Sequence, residues 1–533
     1  MTIPTPPKST VRRRIFAAAV TLMFVAVVPG CPRQQDGKDT PPDVLAKTKP
    51  GEIEDPHKLP DIDPEELPDQ PKPNKDKQPP LPELAAVEAW VNAGAEFGWT
   101  APDDWGLAEL RDDWQEGDLP TFRFFFTPLA PGTLANLPAP GVPFGLDLHA
   151  PQMSDSALKE LVNFQQLRKL DLSLTKITDA GLATLGQFKH LQALDISHTR
   201  VTDAGLMRLR ELDQLKSINV AGTKVTDQGL AHLAGLKQLA ALNITATNVT
   251  DAGMKQLAGL QQLERLTLSG VPISDQGLKD LLDLDELVAL DLSGTMITNE
   301  GVKDLAAIHH LQKLSLRDTA VSDAGLYELR NCTDLIDLNV ELVRLTDAGC
   351  KSLGDIKQLK KLRLAGTGFG DEGLKALANL GQLDSLRLDN SAITDSGVKH
   401  LAKLQRLKSL ELISVQLTDA GLKHVAQFKR LQGLQINQAH ITNSGLKDLA
   451  DLKQLRSLRL TNMTQLNDAG IKVLSTLTQL VHLDITGLPI TDVGLRQLAS
   501  LNQLRSLYLA SPLVTDDGVE QLQRQMGKTK ILR

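Results

Sequence analysis

The hexapeptide ITDAGL at Ile177–Leu182 returns as VTDAGL from Val201, VTDQGL from Val225 and VTDAGM from Val249. This spacing of 24 residues constrains the fold more than any other feature of the chain. The glycine of the motif recurs without slip from Gly181 to Gly445; one residue is inserted near Thr461–Asp468, and the period resumes at Gly470, Gly494 and Gly518. MSDSAL from Met153 is a degenerate first copy, which makes sixteen copies. A short fixed period means a linear core built by stacking like units, so ordinary domain counting from length misleads.

One unit, Leu191–Gln214, shows what is being stacked. Leu191, Leu194 and Ile196 alternate with polar residues in the manner of a short strand. Leu206, Leu209 and Leu212 then recur at a spacing of three, on one face of a short helix. With Val201, seven apolar positions face inward, too many for one copy to bury alone. The aspartate column is Asp in fourteen copies and Asn at Asn299 and Asn443. An acid at that place accepts bonds from orphan amides at a helix start and suits the positive helix end, so Asp179, Asp203, Asp227, Asp251 and Asp275 read as structural helix caps. The glycine either lets neighbouring turns approach closely or takes a positive φ, and both readings stand. So many copies of one acid, with no repeated base or nucleophile, argue against a catalytic role.

The consensus LxxLxLxxT followed by (I/V)TDxGLxxLxx resembles the leucine-rich repeat family, most closely its cysteine-containing subclass and, with the export features below, exported bacterial lipoprotein-like members. The resemblance runs from Phe144 to about Leu532. It implies an α/β solenoid, a horseshoe with a parallel sheet on its concave face and helices on its convex face, used mostly to bind proteins. The asparagine or cysteine of the family pattern is threonine at Thr175, Thr199, Thr223, Thr247, Thr295, Thr319 and Thr367. From Val415 the column becomes Ala439, Met463, Leu488 and Pro512, which predicts looser loop packing there.

The ends of such an array must be sealed. All four tryptophans, Trp90, Trp99, Trp105 and Trp114, precede the repeats, with FRFFF at Phe122–Phe126. Residues 83–143 therefore read as an N-terminal capping region, with a helix from about Leu84 to Phe97 and then a strand; residues 144–533 form the solenoid. At the other end, Ile531 begins another strand.

The first residues read as an address. Arg12–Arg14 precede an apolar run from Ile15 to Val28, too short for a bilayer span of about 20 residues, so residues 1–31 are expected to be a signal peptide. VPGC resembles the lipobox of bacterial lipoproteins, which makes Cys31 the expected lipid attachment site, although Pro29 departs from that pattern. Residues 32–82 are rich in Pro, Asp, Glu and Lys and are expected to form a disordered tether reaching about 150 Å at about 3.1 Å per residue. Anchor and tether together predict export to the cell envelope and membrane attachment.

The formal charge of −7 argues against general nucleic-acid binding, there being no basic excess to neutralise phosphates. Three cysteines make no disulfide framework, and Cys332 and Cys350 fall in leucine columns as small core residues. No HExxH, GxSxG, CxxC or phosphate-cradling loop occurs, so the chain is read as non-enzymatic, with no cofactor and no metal.

Sequence-specific information sits at the outward position of each LxL. Asp147, Asp171 and Asp195 form an acidic ladder on strands about 4.8 Å apart, each pair repelling by about 0.9 kcal/mol in water. A basic partner, a cation or Lys169 would relieve it, or the row is simply a solvated face. Arg317, Glu341, Arg363, Arg387, Asp389 and Glu411 cluster further along, with Tyr508 beyond, and are the candidate surface for a protein partner. The alternative is an internal salt-bridge network on a solvated face. Function thus reads as a tethered protein-binding scaffold, alternatively a structural or adhesive envelope protein without one specific ligand. A third reading, a substrate receptor as in ubiquitin ligases, rests on the resemblance alone.

Overall fold

The computed structural model describes residues 81–101, 110–111, 114–124, 129–366, 368–389 and 392–533. The signal and tether calls, with Cys31, Trp105, Phe125 and Phe126, lie outside the described residues. A unit of Met1–Lys72 falls wholly outside them, and the unit of Pro73–Arg533 holds everything below.

Among the described residues nineteen strands form one sheet. β1 (Glu96–Thr100) and β2 (Leu119–Arg123) pair antiparallel. β2 then runs parallel to β3 (Phe144–Asp147), which pairs with β4 (Leu167–Asp171), and that with β5 (Ala193–Asp195). The same parallel register, one repeat per strand, continues to Lys530–Leu532. A short helix follows each repeat strand, so the sheet has helices on one face, and the α/β solenoid that the resemblance implies is what forms. Leu191, Leu194, Ile196, Val201, Leu206, Leu209 and Leu212 are all fully buried. The spacing of three has a specific outcome here: Asp203–Leu206 is α-helical, but Met207–Leu209 tightens to a 3-10 turn, in which residues three apart eclipse.

The repeats are joined by a hydrogen-bonded relay that corrects the assignment of the caps. In most repeats the residue capping the helix is the threonine before the aspartate, as where Thr202 Oγ1 accepts the Ala204 amide at 3.3 Å. Asp179, Asp203, Asp227, Asp251 and Asp275 occupy the first helical position, and their carboxylates act on the next repeat. Asp179 Oδ1 accepts the Thr202 amide at 2.8 Å and Oδ2 accepts the Thr202 hydroxyl at 2.7 Å. The pattern repeats from Asp155 with Thr178 to Asp492 with Thr515. One-sided capping by the acid was the simpler expectation because sequence spacing places it at the same helix start; the structure aims it across to the neighbour.

The motif glycine is explained by close approach. Gly205 lies in a helix with ordinary φ, and a Cβ there would sit 2.5 Å from Asp179 Oδ1 and 2.9 Å from Val201 Cγ1. The threonines of the LxLxxT column close the turn, as where Thr199 Oγ1 donates to the Ile196 carbonyl at 2.7 Å. Where that column turns apolar, Val415, Met463 and Leu488 are as buried as the threonines they replace, whereas Pro512 is exposed, the looser packing expected there. A hydrophobic side chain loses the bond and fills the same space.

At the N-terminal end the helix stops at Asn92 rather than near Phe97, because Gly94 turns the chain with a φ of 103° into β1. Trp90 is fully buried, stacked on Phe122 with ring centroids 4.6 Å apart and tilted against Phe164 at 5.2 Å. Its indole donates to the Pro138 carbonyl at 2.9 Å. The aromatic group thus covers the apolar end of the first repeats. Cys332 and Cys350 are free thiols in the core, and burial pushes Cys332 up to about 11.

Replacing Gly205 by alanine forces Asp179 off Thr202. The substitution is expected to destabilise the solenoid by about 2 kcal/mol, measured by urea unfolding followed by circular dichroism, with an unchanged slope.

Candidate functional site: the concave face of the sheet

Alternation along each strand sends the LxL leucines to the helices and the residue between them to the concave face. This face has two differently built regions.

The first holds the acidic ladder, and it is not a solvated face. Asp147, Asp171 and Asp195 are in register on β3, β4 and β5, at 4%, 2% and 3% exposure. Lys169 Nζ donates to the carbonyl of Ala101, the residue after β1, at 3.4 Å. Asp147 is paired: Arg123 Nε on β2 donates to its Oδ2 at 2.6 Å, and His149 Nδ1 closes on its Oδ1. Asp195 is also satisfied, by the Ser197 amide and hydroxyl and by Asn219 Nδ2 at 2.8 Å. Asp171 accepts only the Ser173 amide, at Oδ1, and its Oδ2 is buried without a hydrogen-bond partner.

The three carboxyls respond differently. Burial, then the charges of Asp195 and Asp147, push Asp171 well above the ordinary carboxylate range. Burial also raises Asp195, against the bonds from Ser197 and Asn219. At Asp147 burial is opposed and outweighed by the hydrogen bond and electrostatic pull of His149 and by Arg123, so its carboxyl falls below the usual range.

Reading outward strand positions missed two residues here. His149 is two places after Asp147 and so shares its face; Arg123 precedes Asp147 by one repeat length, 24 residues, a signal hidden by the absence of the motif in that stretch. Among the described residues, Asp147, His149 and Asp171 are the group whose donor atoms converge, all within 4.8 Å of one another.

The second region lies mid-sheet. Arg387 Nε meets Glu341 Oε1 at 3.0 Å, its Nη1 meets Glu411 Oε2 at 3.2 Å, and its Nη2 lies 3.8 Å from Asp389 Oδ2. Arg317 Nε approaches Glu341 Oε2 at 3.7 Å. Five of the seven candidate partner-binding residues are therefore one network. Arg363 is separate, paired with Asp337 at 2.9 Å, and Tyr508 is on a strand beyond, beside Asp484. Arg317 and Arg363 keep 45% and 38% of their side-chain surface exposed, so both face solvent. Arg363 also borders a depression of about 320 Å³ floored by the strands of Arg265, Asp291, Lys313 and Asp337. Neither region sets a nucleophile against a base.

Residues 146–372 match a family model described as a leucine-rich repeat region. The strand and helix unit of that region continues in the structure to Leu532. No curated protein matches the chain in sequence. Among solved structures it is similar to an internalin from Listeria monocytogenes, 24% identical, covering 57% of this chain and 83% of that one, with a TM-score of 0.45. A leucine-rich repeat protein from Leptospira interrogans is 20% identical, covering 85% of this chain and 100% of that one, with a TM-score of 0.43. The ectodomain of the Arabidopsis receptor kinase HAESA, solved with a peptide hormone ligand, is 16% identical over 71% and 72% of the two chains, with a TM-score of 0.39.

Because Asp171 binds its proton more tightly in the folded protein than in the unfolded chain, it favours folding below the unfolded value near 4, and that contribution is lost as pH rises through the folded value. In metal-free buffer, Asp171→Asn is expected to melt above wild type at pH 7. The gap should shrink toward pH 4, as read by calorimetry across that range.

Proposed function

We propose that this chain is a non-enzymatic scaffold that binds a protein partner on the middle of its concave face, displayed outside a bacterial cytoplasmic membrane by a lipid on Cys31 and the segment of residues 32–82. The observation that carries the binding reading is the solvent-facing pair Arg317 and Arg363, of which Arg363 borders the depression floored by Arg265, Lys313 and Asp337. Arginine is enriched where proteins meet, because its planar fork engages carboxylates and carbonyls while its stem packs. The use of leucine-rich repeats as protein-binding surfaces supports the same reading. For the anchor, the support is the run Arg12–Cys31, a basic start, an apolar stretch and a terminal VPGC. Among the described residues no helix is long and apolar enough to cross a membrane.

A structural or adhesive role has one observation in its favour: three carboxylates already surround Arg387, as in a network that serves only its own sheet. The two readings part under one experiment. Proteins cross-linked to the full-length chain in its host envelope are quantified beside Arg363→Ala with Arg387→Ala. The binding reading expects a specific partner reduced at least about tenfold, the loss of roughly 1.4 kcal/mol or more; equal recovery overturns it in favour of the structural one.

The anchor is tested apart. The chain recovered from washed bacterial membranes is expected to have the intact mass of residues 31–533 plus lipid, and Cys31→Ser should abolish that species. An unlipidated wild-type chain overturns the anchor.

A further inference from the structure

The polar cluster at the N-terminal end of the sheet is built unlike a surface. Asp147 and His149 share one face of the chain through β3, and the parallel register places Asp171 beside Asp147. All three are buried, and their donor atoms lie within 4.8 Å of one another. Asp171 is 98% buried by its 2% exposure, yet its Oδ2 has no hydrogen-bond partner. An orphaned buried oxygen of this kind is costly, and native proteins keep one where something else completes it.

The neighbouring cations do not complete it. Arg123 Nε is bonded to the other carboxylate, at Asp147 Oδ2, and Lys169 Nζ donates to the Ala101 carbonyl. Asp195 stands on the next strand with its own oxygens taken by Ser197 and Asn219. Among the described residues, the donor atoms that converge with those of Asp171 are a second carboxylate and an imidazole. One ring nitrogen with two carboxylate oxygens is a donor set for a divalent first-row metal, imidazole suiting zinc and carboxylates suiting manganese. A dication also offsets the like charge of Asp147 and Asp171, which burial otherwise relieves by protonating Asp171.

We propose that Asp147, His149 and Asp171 bind one divalent zinc or manganese ion, which ties the first two repeat strands together. Its role is structural, since the donors are buried among strands and no reacting group stands beside them. Arg123 and the Ser173 amide act as the outer partners that orient the two carboxylates. The site lies apart from the Arg363 and Arg387 surface, so its failure leaves the partner-binding reading untouched.

The full-length chain is unfolded in chelator and refolded with zinc chloride, with manganese chloride, or with neither, beside Asp171→Asn. Metal content is read by elemental analysis after desalting, and the midpoint of thermal unfolding is read at pH 7. One retained ion per chain, with a midpoint several degrees higher, is expected for wild type. Asp171→Asn keeps the shape of the side chain and should fold without metal, so it is expected to retain no ion and show no rise. Retention of neither metal by wild type overturns the proposal, as does equal retention by the variant, which would place the ion elsewhere.

Discussion

Everything in this molecule hangs on a carboxylate that reaches out of one repeat and into the next. The apolar columns drive stacking, but hydrophobic contact is non-directional and would tolerate many offsets between neighbouring units. The aspartate removes that freedom. Its two oxygens take the amide and hydroxyl of a single threonine, and that hydroxyl then accepts the amide opening the next helix. Each bond to a charged acceptor contributes about 1.5–3 kcal/mol when shielded and less at a partly exposed helix start. The larger effect is geometric: strand register, helix phase and the glycine's lack of a side chain all follow from where this carboxylate must sit.

The exceptions obey the same rule. At Asn443 the acceptor is an amide, and the threonine it should meet is Asn467; the pair exchange bonds, Asn443 Nδ2 donating to Asn467 Oδ1 at 2.9 Å and Asn443 Oδ1 accepting the Asn467 amide at 3.1 Å. At Gly370 the threonine is missing, and Asp347 Oδ1 takes two backbone amides instead, those of Gly370 and Gly373. Asp516 is held by Arg533. A position that merely capped its own helix would have no reason to change together with a residue one repeat away.

The period made the strand, turn and helix of each copy legible, because repetition averages away the ambiguity of any single short apolar run. What it could not carry was direction between copies. A hydroxyl residue and an acid are adjacent in most motifs, as Thr178 and Asp179 are, so sequence alone cannot tell which caps the helix and which reaches across. The left-handed turn position was hidden for another reason: it is Gly222 and Gly270 in some copies but Leu174, Ala246 and Leu342 in others, all at positive φ. Stacking against the neighbouring turn holds these residues in a conformation costing about 1–2 kcal/mol, so no single residue type marks the column. The acidic ladder was legible as a row of like charge and illegible as a buried one. The histidine and arginine that partner Asp147 stand where the repeat motif is absent.

The two regions of the concave face show why outward residues of one periodic strand need not serve one purpose. Near β3 to β5 the outward side chains are short acids, amides and hydroxyls that bond to the next strand or to their own backbone, and the three acids are buried. Mid-sheet the same positions carry arginine and glutamate, whose length lets bonds skip a strand. Glu341 reaches Arg387 across Ala365, a residue small enough to leave the path clear. Arg387 is thereby held by three carboxylates, and a partner's carboxylate would have to displace one of them to use it. Arg317 and Arg363 each hold one carboxylate and keep much of their surface in water. A partner therefore gains most at these two, with Arg387 acting as the fixed centre that keeps Glu341 turned toward Arg317. Preorganisation of this kind lowers the side-chain entropy lost on binding without adding a contact.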